Sequence, residues 1–173
     1  MPGQITIISG PPGAGKSTVA RLIADTAARP TVHLDSDTFY TWIRTGFVPP
    51  YLPEAARQNE VVIPLIAETA CGYARGGYDV LLDGIIGPWS LPPFVAAAER
   101  DALTLTFVVL RPSLEVTLAR ATERAGRALR DPEPIKGLHQ AFATGNVIDS
   151  TEQTPEQTAQ AVQQATPYPG LPE

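Results

Sequence analysis

The residues best suited to chemistry form a glycine-rich run near the start of the chain. Gly10 to Ser17 read G-P-P-G-A-G-K-S, which fits the spacing G-x-x-x-x-G-K-[S/T]. Glycines let backbone N–H groups curl around an anion, and a helix N-terminus adds partial positive charge. Lys16 can then reach the β- and γ-phosphates of a nucleotide, and the Ser17 hydroxyl can ligate Mg²⁺. The predicted phosphate-binding residues of this Walker A motif are Gly10, Pro11, Pro12, Gly13, Ala14, Gly15, Lys16, Ser17 and Thr18.

Two carboxylates follow the second predicted strand. Asp35 and Asp37 are separated by one residue, so they leave the strand on the same side. Beside a phosphate loop, one of them can hold Mg²⁺ through water and the other can accept a proton from a substrate hydroxyl. Alternatively, Asp35 or Ser36 caps the helix that begins near Thr38. His33, inside the strand, is interpreted as a packed strand residue.

A third carboxylate closes the third predicted strand. The apolar run before Asp83 is typical of a Walker B element, whose carboxylate belongs to the Mg²⁺ shell. Gly84 follows, and Trp89 lies shortly after it. This segment can wrap a substrate, with Trp89 as an apolar wall; the alternative is a tight loop with Trp89 packed on the core.

Arginines cluster in the second half of the chain. Within twenty residues the sequence carries Arg111, Arg120, Arg124, Arg127 and Arg130. Arginine binds phosphate bidentately, and phosphoryl transfer spreads negative charge over the moving oxygens. We therefore predict an arginine-rich lid near residues 120–134, in which Arg124 and Arg127 act in catalysis. The alternative is a solvated helix face paired with Glu115 and Glu123.

The elements that must position these residues alternate between strand and helix. The apolar, β-branched segments are Ile5–Ser9, Thr31–Leu34, Asp79–Asp83, Thr104–Leu110 and Asn146–Ile148. This alternation predicts an α/β fold with a parallel sheet and helices on both faces. Ligands then bind at the carboxyl ends of the strands, where the acidic residues and the glycine-rich run also lie.

The predicted helices are less regular than the strands. Thr18 to Ala28 has helical periodicity, and Glu54 to Arg75 should kink or restart at Pro64. Ser113 should cap a helix that runs to about Ala125. We expect one domain over residues 1–165 and a flexible, proline-rich tail over residues 166–173.

Composition narrows the classes of function. The 173 residues carry a net charge of −5, which argues against a broad contact with nucleic acid. The single cysteine, Cys71, allows no internal disulfide. No apolar run approaches the roughly 18 residues that a membrane span needs. We expect a cytoplasmic protein with no membrane partner, and the oligomeric state stays open.

Taken together, these motifs identify a resemblance to a known family. The chain resembles the small P-loop kinases of the shikimate kinase, gluconate kinase and chloramphenicol phosphotransferase type, over about residues 4 to 162. The matching segments are Gly10–Thr18, Asp35–Asp37, Asp83-Gly84, Leu110–Pro112 leading into Arg120–Arg124, and Val147–Asp149 before Thr154-Pro155. The resemblance implies a three-layer, nucleoside-kinase-like fold with sheet order 2-3-1-4-5. It also implies transfer of the γ-phosphoryl of ATP, with Mg²⁺, to a hydroxyl of a small molecule.

The resemblance also implies roles for individual residues. Asp37 would be the base and Asp35 the holder of a Mg²⁺-bound water. Arg57 would bind the substrate, together with Asp37, Gly84 and Trp89. Arg120 would stack on adenine. The remaining implied residues are Thr154 and Pro155 on the other side of adenine, and Arg124, Arg127 or Arg130 as the lid cation.

Two departures from the family pattern bear on the acceptor. Shikimate kinases carry three glycines after the third strand, where this chain has Asp83-Gly84-Ile85. Aromatic residues follow the acidic pair, namely Phe39, Tyr40 and Trp42, and they favour a partly apolar acceptor such as an antibiotic or another natural product. The alternatives are a nucleotide-sensing regulatory module with weak ATPase activity, a nucleoside or nucleotide kinase, and a zeta-type toxin kinase acting on a nucleotide sugar.

Overall fold

Strands and helices alternate along the chain as the sequence predicts. The computed structural model describes residues 1–123 and 132–171. Its strands are Ile5–Ser9 (β1), Thr31–Asp35 (β2), Asp79–Asp83 (β3), Leu105–Leu110 (β4) and Val147–Ile148 (β5). In this part of the chain they form one parallel sheet in the order β2-β3-β1-β4-β5. The predicted fold class and strand order are therefore confirmed.

Helices connect the strands and cover both faces of the sheet. In the described residues they are Lys16–Asp25 (α1), Ser36–Thr41 (α2), Ala56–Arg75 (α3), Pro92–Arg100 (α4), Leu114–Glu123 (α5), Pro132–Ala141 (α6) and Pro155–Gln163 (α7), with 3₁₀ turns at Pro53–Ala55 and Pro88–Ser90. Helices α1 and α7 pack together, and so do α3 and α4.

Alternation along the strands divides the core into two halves. In β1, Ile5 and Ile7 belong to the cluster that includes α3 and α4, whereas Ile8 belongs to the cluster with α1 and α7. Successive strand residues point to opposite faces, so one apolar strand supplies both halves. The central strands are consequently fixed from both sides, and their carboxyl ends form a rigid platform.

Helix α3 continues through Pro64, so of the kink and the restart that the sequence predicts as alternatives, the restart does not occur. Proline inside a helix removes one hydrogen bond and clashes with the preceding turn, at a cost of about 3 kcal/mol. Buried residues flank Pro64 on both sides, among them Val62, Ile66 and Ala70. Their packing against the sheet holds the helix in one piece and offsets this cost.

The predicted lid and tail are only partly described. Residues 124–131 lie outside the described residues, and residues 132–134, assigned to the lid loop, begin helix α6. The tail is packed as far as residue 171, where a flexible segment is predicted. The Tyr168 N–H donates to the Leu105 carbonyl oxygen at 2.7 Å, and Leu171 lies buried in the core. The Tyr168 backbone and the Leu171 side chain hold this segment against the core, although its prolines favour a loose tail.

No helix among the described residues has both the length and the apolar character that crossing a membrane requires.

Candidate functional site

The glycine-rich run forms a turn between β1 and α1. Gly10 has φ +139°, and a Cβ there would lie 2.1 Å from the Leu110 carbonyl oxygen, so only glycine fits against the end of β4. Gly13 and Gly15 also have positive φ, at +83° and +90°, and α1 begins directly after Gly15. The turn therefore presents the N-terminus of a ten-residue helix at the carboxyl edge of the sheet, as an anion site requires.

Lys16 lies within the turn rather than in solvent. Its Nζ donates to the Gly10 carbonyl oxygen at 3.0 Å and to the Pro11 carbonyl oxygen at 2.9 Å, and the residue is 7% exposed. The lysine side chain of the loop is thus held against the backbone of the loop itself. A buried ammonium beside backbone N–H groups suits a phosphate.

Asp83 is a buried carboxylate with a side-chain partner on each oxygen. The Ser17 hydroxyl donates to Asp83 Oδ2 at 2.5 Å, and His33 Nε2 lies 2.5 Å from Asp83 Oδ1. Asp83 is 2% exposed, so its two oxygens are held by two side chains in a nearly dry environment. Ser17 and Asp83, predicted as Mg²⁺ ligands, are therefore in direct contact. His33, interpreted from sequence as a packing residue, is the second partner of this carboxylate.

Asp35 lies beside Asp83 on the neighbouring strand. The two residues are register partners between β2 and β3, which places their Cβ atoms on the same face. Asp35 also caps α2: its Oδ1 accepts from the Asp37 N–H at 2.9 Å, and its Oδ2 accepts from the Thr38 hydroxyl at 3.3 Å. Asp35 therefore caps α2, as one of the two predicted alternatives states. Its position beside Asp83 is also compatible with a role in metal binding.

Asp37 lies exposed in the first turn of α2. Its charge acts on Tyr40, whose pKa is raised to about 12, first by burial and second by Asp37. The Tyr40 hydroxyl donates to Asn59 Oδ1 at 3.1 Å and ties α2 to α3. Asp37 therefore lies at the edge of the site, on a helix that the Tyr40–Asn59 hydrogen bond ties to α3.

Two close contacts set the position of α2 and of the loop after β3. A Cβ on Gly84 would lie 1.8 Å from Ser36 Oγ, so the start of α2 packs directly on the Gly84 backbone. The Ser9 hydroxyl donates to the Ile86 carbonyl oxygen at 2.7 Å and accepts from the Ile86 N–H at 3.0 Å. Gly84, predicted to contact substrate, thus has a packing role, and sequence reasoning missed buried Ser9.

A cavity of about 290 Å³ opens beside the phosphate loop. Its walls include Ala14, Gly15 and Thr18 from the loop side, Arg120 from α5, Ser150 from the segment after β5, and Pro155 from the start of α7. This volume is close to the lower end of small-ligand pockets. Arg120 and Pro155, which the resemblance implies on either side of adenine, both belong to this wall.

Thr154, predicted to lie against adenine, has a structural role. Its hydroxyl accepts from the Gln157 N–H at 3.3 Å, and the Gln157 side chain accepts from the Thr154 N–H at 2.9 Å. This capping box begins α7 and holds Pro155 at the first helical position, on the cavity wall.

The predicted substrate residues are more scattered. The Arg57 guanidinium is largely exposed and donates to Glu60 Oε2 at 3.2 Å, so it forms a surface ion pair on α3. Trp89 is 60% exposed, and its ring centroid lies 5.9 Å from that of Phe142. Part of the Trp89 ring thus packs on Phe142, as the tight-loop alternative predicts. The exposed remainder leaves the predicted role as an apolar wall for a substrate open.

The predicted lid arginines Arg124, Arg127 and Arg130 lie outside the described residues. Arg111, at the end of β4, has a structural role: its Nε donates to the His139 carbonyl oxygen at 2.8 Å and holds α6.

The acidic groups fit Mg²⁺ only together with a phosphate. Among residues 1–123 and 132–171, no three His, Cys, Asp or Glu side chains form a cluster able to hold a metal. Mg²⁺ in phosphotransferases is usually held by one or two carboxylates, waters and the phosphates of the substrate. Ser17, Asp83 and neighbouring Asp35 would be the protein's ligands in such an arrangement.

A match to a family model shows which family the chain belongs to. The model of a family described as an AAA domain matches residues 5–144. The chain belongs to this AAA domain family. No curated protein matches the sequence.

Solved structures with the fold of this AAA domain cover nearly the whole chain. The tunicamycin resistance protein of Deinococcus radiodurans is 19% identical, covers 96% of this chain and 99% of its own, and has a TM-score of 0.69. The APS kinase CysC of Mycobacterium tuberculosis, in complex with AMPPNP and APS, is 18% identical, with 94% and 96% covered and a TM-score of 0.71. A gluconokinase of Sinorhizobium meliloti 1021 is 17% identical, with 93% and 89% covered and a TM-score of 0.64. The resemblance to small P-loop kinases is therefore confirmed.

Proposed function

We propose that this protein is an ATP- and Mg²⁺-dependent phosphotransferase that transfers the γ-phosphoryl group to a hydroxyl of a small molecule. The hydrogen bond of Ser17 to Asp83, beside Asp35 in register, carries the proposal. It joins the helix after the phosphate loop to a carboxylate at the strand ends, an arrangement that suits a phosphate-bound metal. Because the reaction consumes ATP, we place the protein in the cytoplasm.

Different residues around the loop would bind the phosphates, the metal and the base of the nucleotide. Lys16 and the N-terminus of α1 would bind the phosphates, and Ser17 and Asp83 would hold Mg²⁺ with Asp35 nearby. When bound, Mg²⁺ neutralises charge that develops on the phosphoryl oxygens. Arg120 and Pro155 would enclose the base, which keeps the nucleotide in one orientation relative to the acceptor.

Asp37 is the residue we assign as general base. A base must be reachable by the substrate hydroxyl, and Asp37 is exposed at the start of α2 while Asp83 is buried. The cap formed by Asp35 and the contact of Ser36 with Gly84 fix the helical turn that carries Asp37. The base is thereby positioned by backbone contacts.

We further propose an acceptor with an apolar part, such as an antibiotic or another natural product. Large aromatic side chains are exposed in and after α2 and beyond β3, namely Trp42, Phe47, Tyr51 and Trp89. The Phe39 and Trp42 rings pack at a centroid distance of 5.0 Å. Exposed aromatic side chains of this kind often mark binding surfaces. The likeness to a tunicamycin resistance protein also supports this class of acceptor.

The decisive experiment measures ADP release at fixed Mg·ATP against a panel of sugars, nucleosides, shikimate-like acids and hydroxylated antibiotics. We expect one class to stimulate turnover, and Asp37→Asn to reduce the stimulated rate at least 100-fold while ATP affinity changes less than two-fold. Asp25→Asn makes the same chemical change at the exposed end of α1 and should leave turnover unaltered. Slow ADP release that no acceptor changes would contradict the proposal and favour a nucleotide-sensing module.

A further inference from the structure

Ser150 is a buried polar residue in the cavity wall beside the phosphate loop. It is 3% exposed, and its Oγ has no hydrogen-bond partner among the described residues. A buried hydroxyl without a partner is unfavourable, typically by more than the net value of a formed hydrogen bond. Such a group calls for an explanation. Ser150 lines the cavity while its Oγ is itself shielded from solvent, and rotation about χ1 can bring the hydroxyl to a ligand in the cavity.

The neighbours of Ser150 hold its backbone in place. The Thr151 hydroxyl and N–H both donate to Asp149 Oδ1, and these bonds lower the pKa of the Asp149 carboxyl. The Ser113 N–H donates to Thr151 Oγ1 at 2.7 Å, which ties this turn to the segment before α5. The backbone of Ser150 is thus fixed, while its hydroxyl can rotate between staggered positions about χ1.

The remaining wall of the cavity suits a flat, mostly apolar group. Gly15 and Thr18 belong to the phosphate loop, whereas Arg120 and Pro155 add a guanidinium group and a ring to the same wall. Guanidinium planes stack on aromatic rings, nucleobases included. A base in this cavity would therefore lie next to Ser150, which belongs to the same wall.

We propose that Ser150 selects the nucleobase, its Oγ accepting a hydrogen bond from the exocyclic amino group of adenine. This inference rests on the proposed use of ATP. The described wall of the cavity contains no carboxylate, which the paired N–H donors of guanine would favour as an acceptor. A hydroxyl can accept from the amino group of adenine, and it discriminates against a purine with hydrogen at that position because it is then left unpaired.

The test compares ATP with purine riboside triphosphate, which has hydrogen in place of the amino group. Equilibrium binding to the full chain is measured with Mg²⁺ and without acceptor, for the unaltered protein and for Ser150→Ala. We expect the unaltered protein to prefer ATP by about three- to ten-fold, the value of one hydrogen bond. Ser150→Ala should lose this preference through weaker ATP binding, with purine riboside triphosphate affinity little changed.

Thermal unfolding provides a second readout that does not depend on turnover. Ser150→Ala removes a buried, unpartnered hydroxyl, so its melting temperature without nucleotide should equal or exceed that of the unaltered protein. The increase on adding ATP should nevertheless be smaller. Thr69→Ala, on α3, removes a hydroxyl that donates only to the Leu65 carbonyl oxygen of its own helix and serves as the control.

Two results would overturn the inference. One is an equal preference for ATP in Ser150→Ala and in the unaltered protein, and the other is no binding of either nucleotide. If instead the preference disappears in the variant but no acceptor stimulates ADP release, the assignment of Ser150 stands and the proposed phosphoryl transfer is the part that fails.

Discussion

The carboxylate of Asp83 depends on two side chains from different elements. Ser17 comes from α1 and His33 from β2, and each lies 2.5 Å from one oxygen. With both oxygens engaged, the carboxylate is held in one orientation inside a site that excludes water. We interpret His33 as a positioning residue, since it acts through Asp83.

Replacing His33 should therefore alter the response to metal more than the binding of nucleotide. His33→Phe keeps a ring in the strand but cannot hydrogen-bond, and a hydrogen bond to a charged group is worth about 1.5–3 kcal/mol. We expect the Mg²⁺ concentration for half-maximal turnover to rise about ten-fold, and nucleotide affinity without Mg²⁺ to stay within two-fold. Turnover measured across a Mg²⁺ titration tests this, and an unchanged midpoint would contradict the role of His33.

Some of these residues can be proposed from the sequence alone, for a physical reason. The phosphate loop is local, so its spacing reveals Lys16 and Ser17 directly. The contact of His33 with Asp83 joins residues fifty positions apart and depends on the register of β2 against β3. Ser9 and Ser150 escape prediction likewise, because burial, not residue type, distinguishes them.

At the scale of elements, α2 is positioned by its packing on the end of β3. Ser36 occupies the space above Gly84, and the same turn carries Asp35 and Asp37. Any side chain at position 84 must push this turn away from the sheet.

Gly84→Ala should accordingly lower both stability and turnover. Overpacking of this kind costs about 1–3 kcal/mol, and displacement of the base should reduce kcat at least ten-fold. Gly137→Ala is the matched control, because a Cβ there meets nothing within 4 Å and alanine favours helix α6. Denaturant unfolding and steady-state kinetics give the two readouts; equal behaviour of the two variants would refute the packing argument.

Helix α6 is held by a buried histidine. His139 Nε2 lies 2.8 Å from the Pro112 carbonyl oxygen, and Arg111 Nη2 lies 3.2 Å from His139 Nδ1. These contacts connect α6 to the segment that follows β4, and thereby support the approach to α5 and Arg120.

Loss of this connection should be visible in the free energy of unfolding. His139→Ala leaves buried polar groups without partners, and we expect a decrease of about 2–3 kcal/mol. Lys136→Ala, on the exposed side of the same helix, breaks only the ion pair with Glu133 and should cost under about 0.5 kcal/mol. Urea denaturation of both variants checks the difference, and similar losses would show that the buried connection is not what holds α6.

At the scale of the molecule, the strand pattern predicts most of the fold. Strand bounds agree within one residue because apolar runs in a parallel sheet are buried on both faces. Local signals say less where tertiary packing holds a segment. Examples are Pro64, which lies within one continuous α3, and the segment that ends with buried Leu171.

The buried thiol of Cys71 should lower the free energy of unfolding at alkaline pH. Burial raises the pKa of the Cys71 thiol from 9.0 to about 11, so the unfolded chain loses this proton first as pH rises. Between pH 9 and 11 the folded state binds more protons, and its stability falls by up to about 1.4 kcal/mol per pH unit.

Cys71→Ala should flatten this decline. The variant has no proton to lose there, so its free energy of unfolding should fall less steeply than that of the unaltered protein over the same range. Denaturant titrations at pH 8, 9, 10 and 11 measure the two slopes. Parallel curves would show that Cys71 does not contribute to the decline.

The central place of β1 in the sheet has a consequence for protein synthesis. This strand is made early, yet its neighbours β3 and β4 follow about 70 and 96 residues after it ends. At about 5–20 residues per second, the ribosome needs roughly 4–14 s to reach β3. During that delay the apolar segment Ile5–Ser9 has no strand to pair with and is exposed to other nascent chains. Chaperones that bind short apolar segments should therefore raise the yield of folded protein most when they act before residue 79 has been translated.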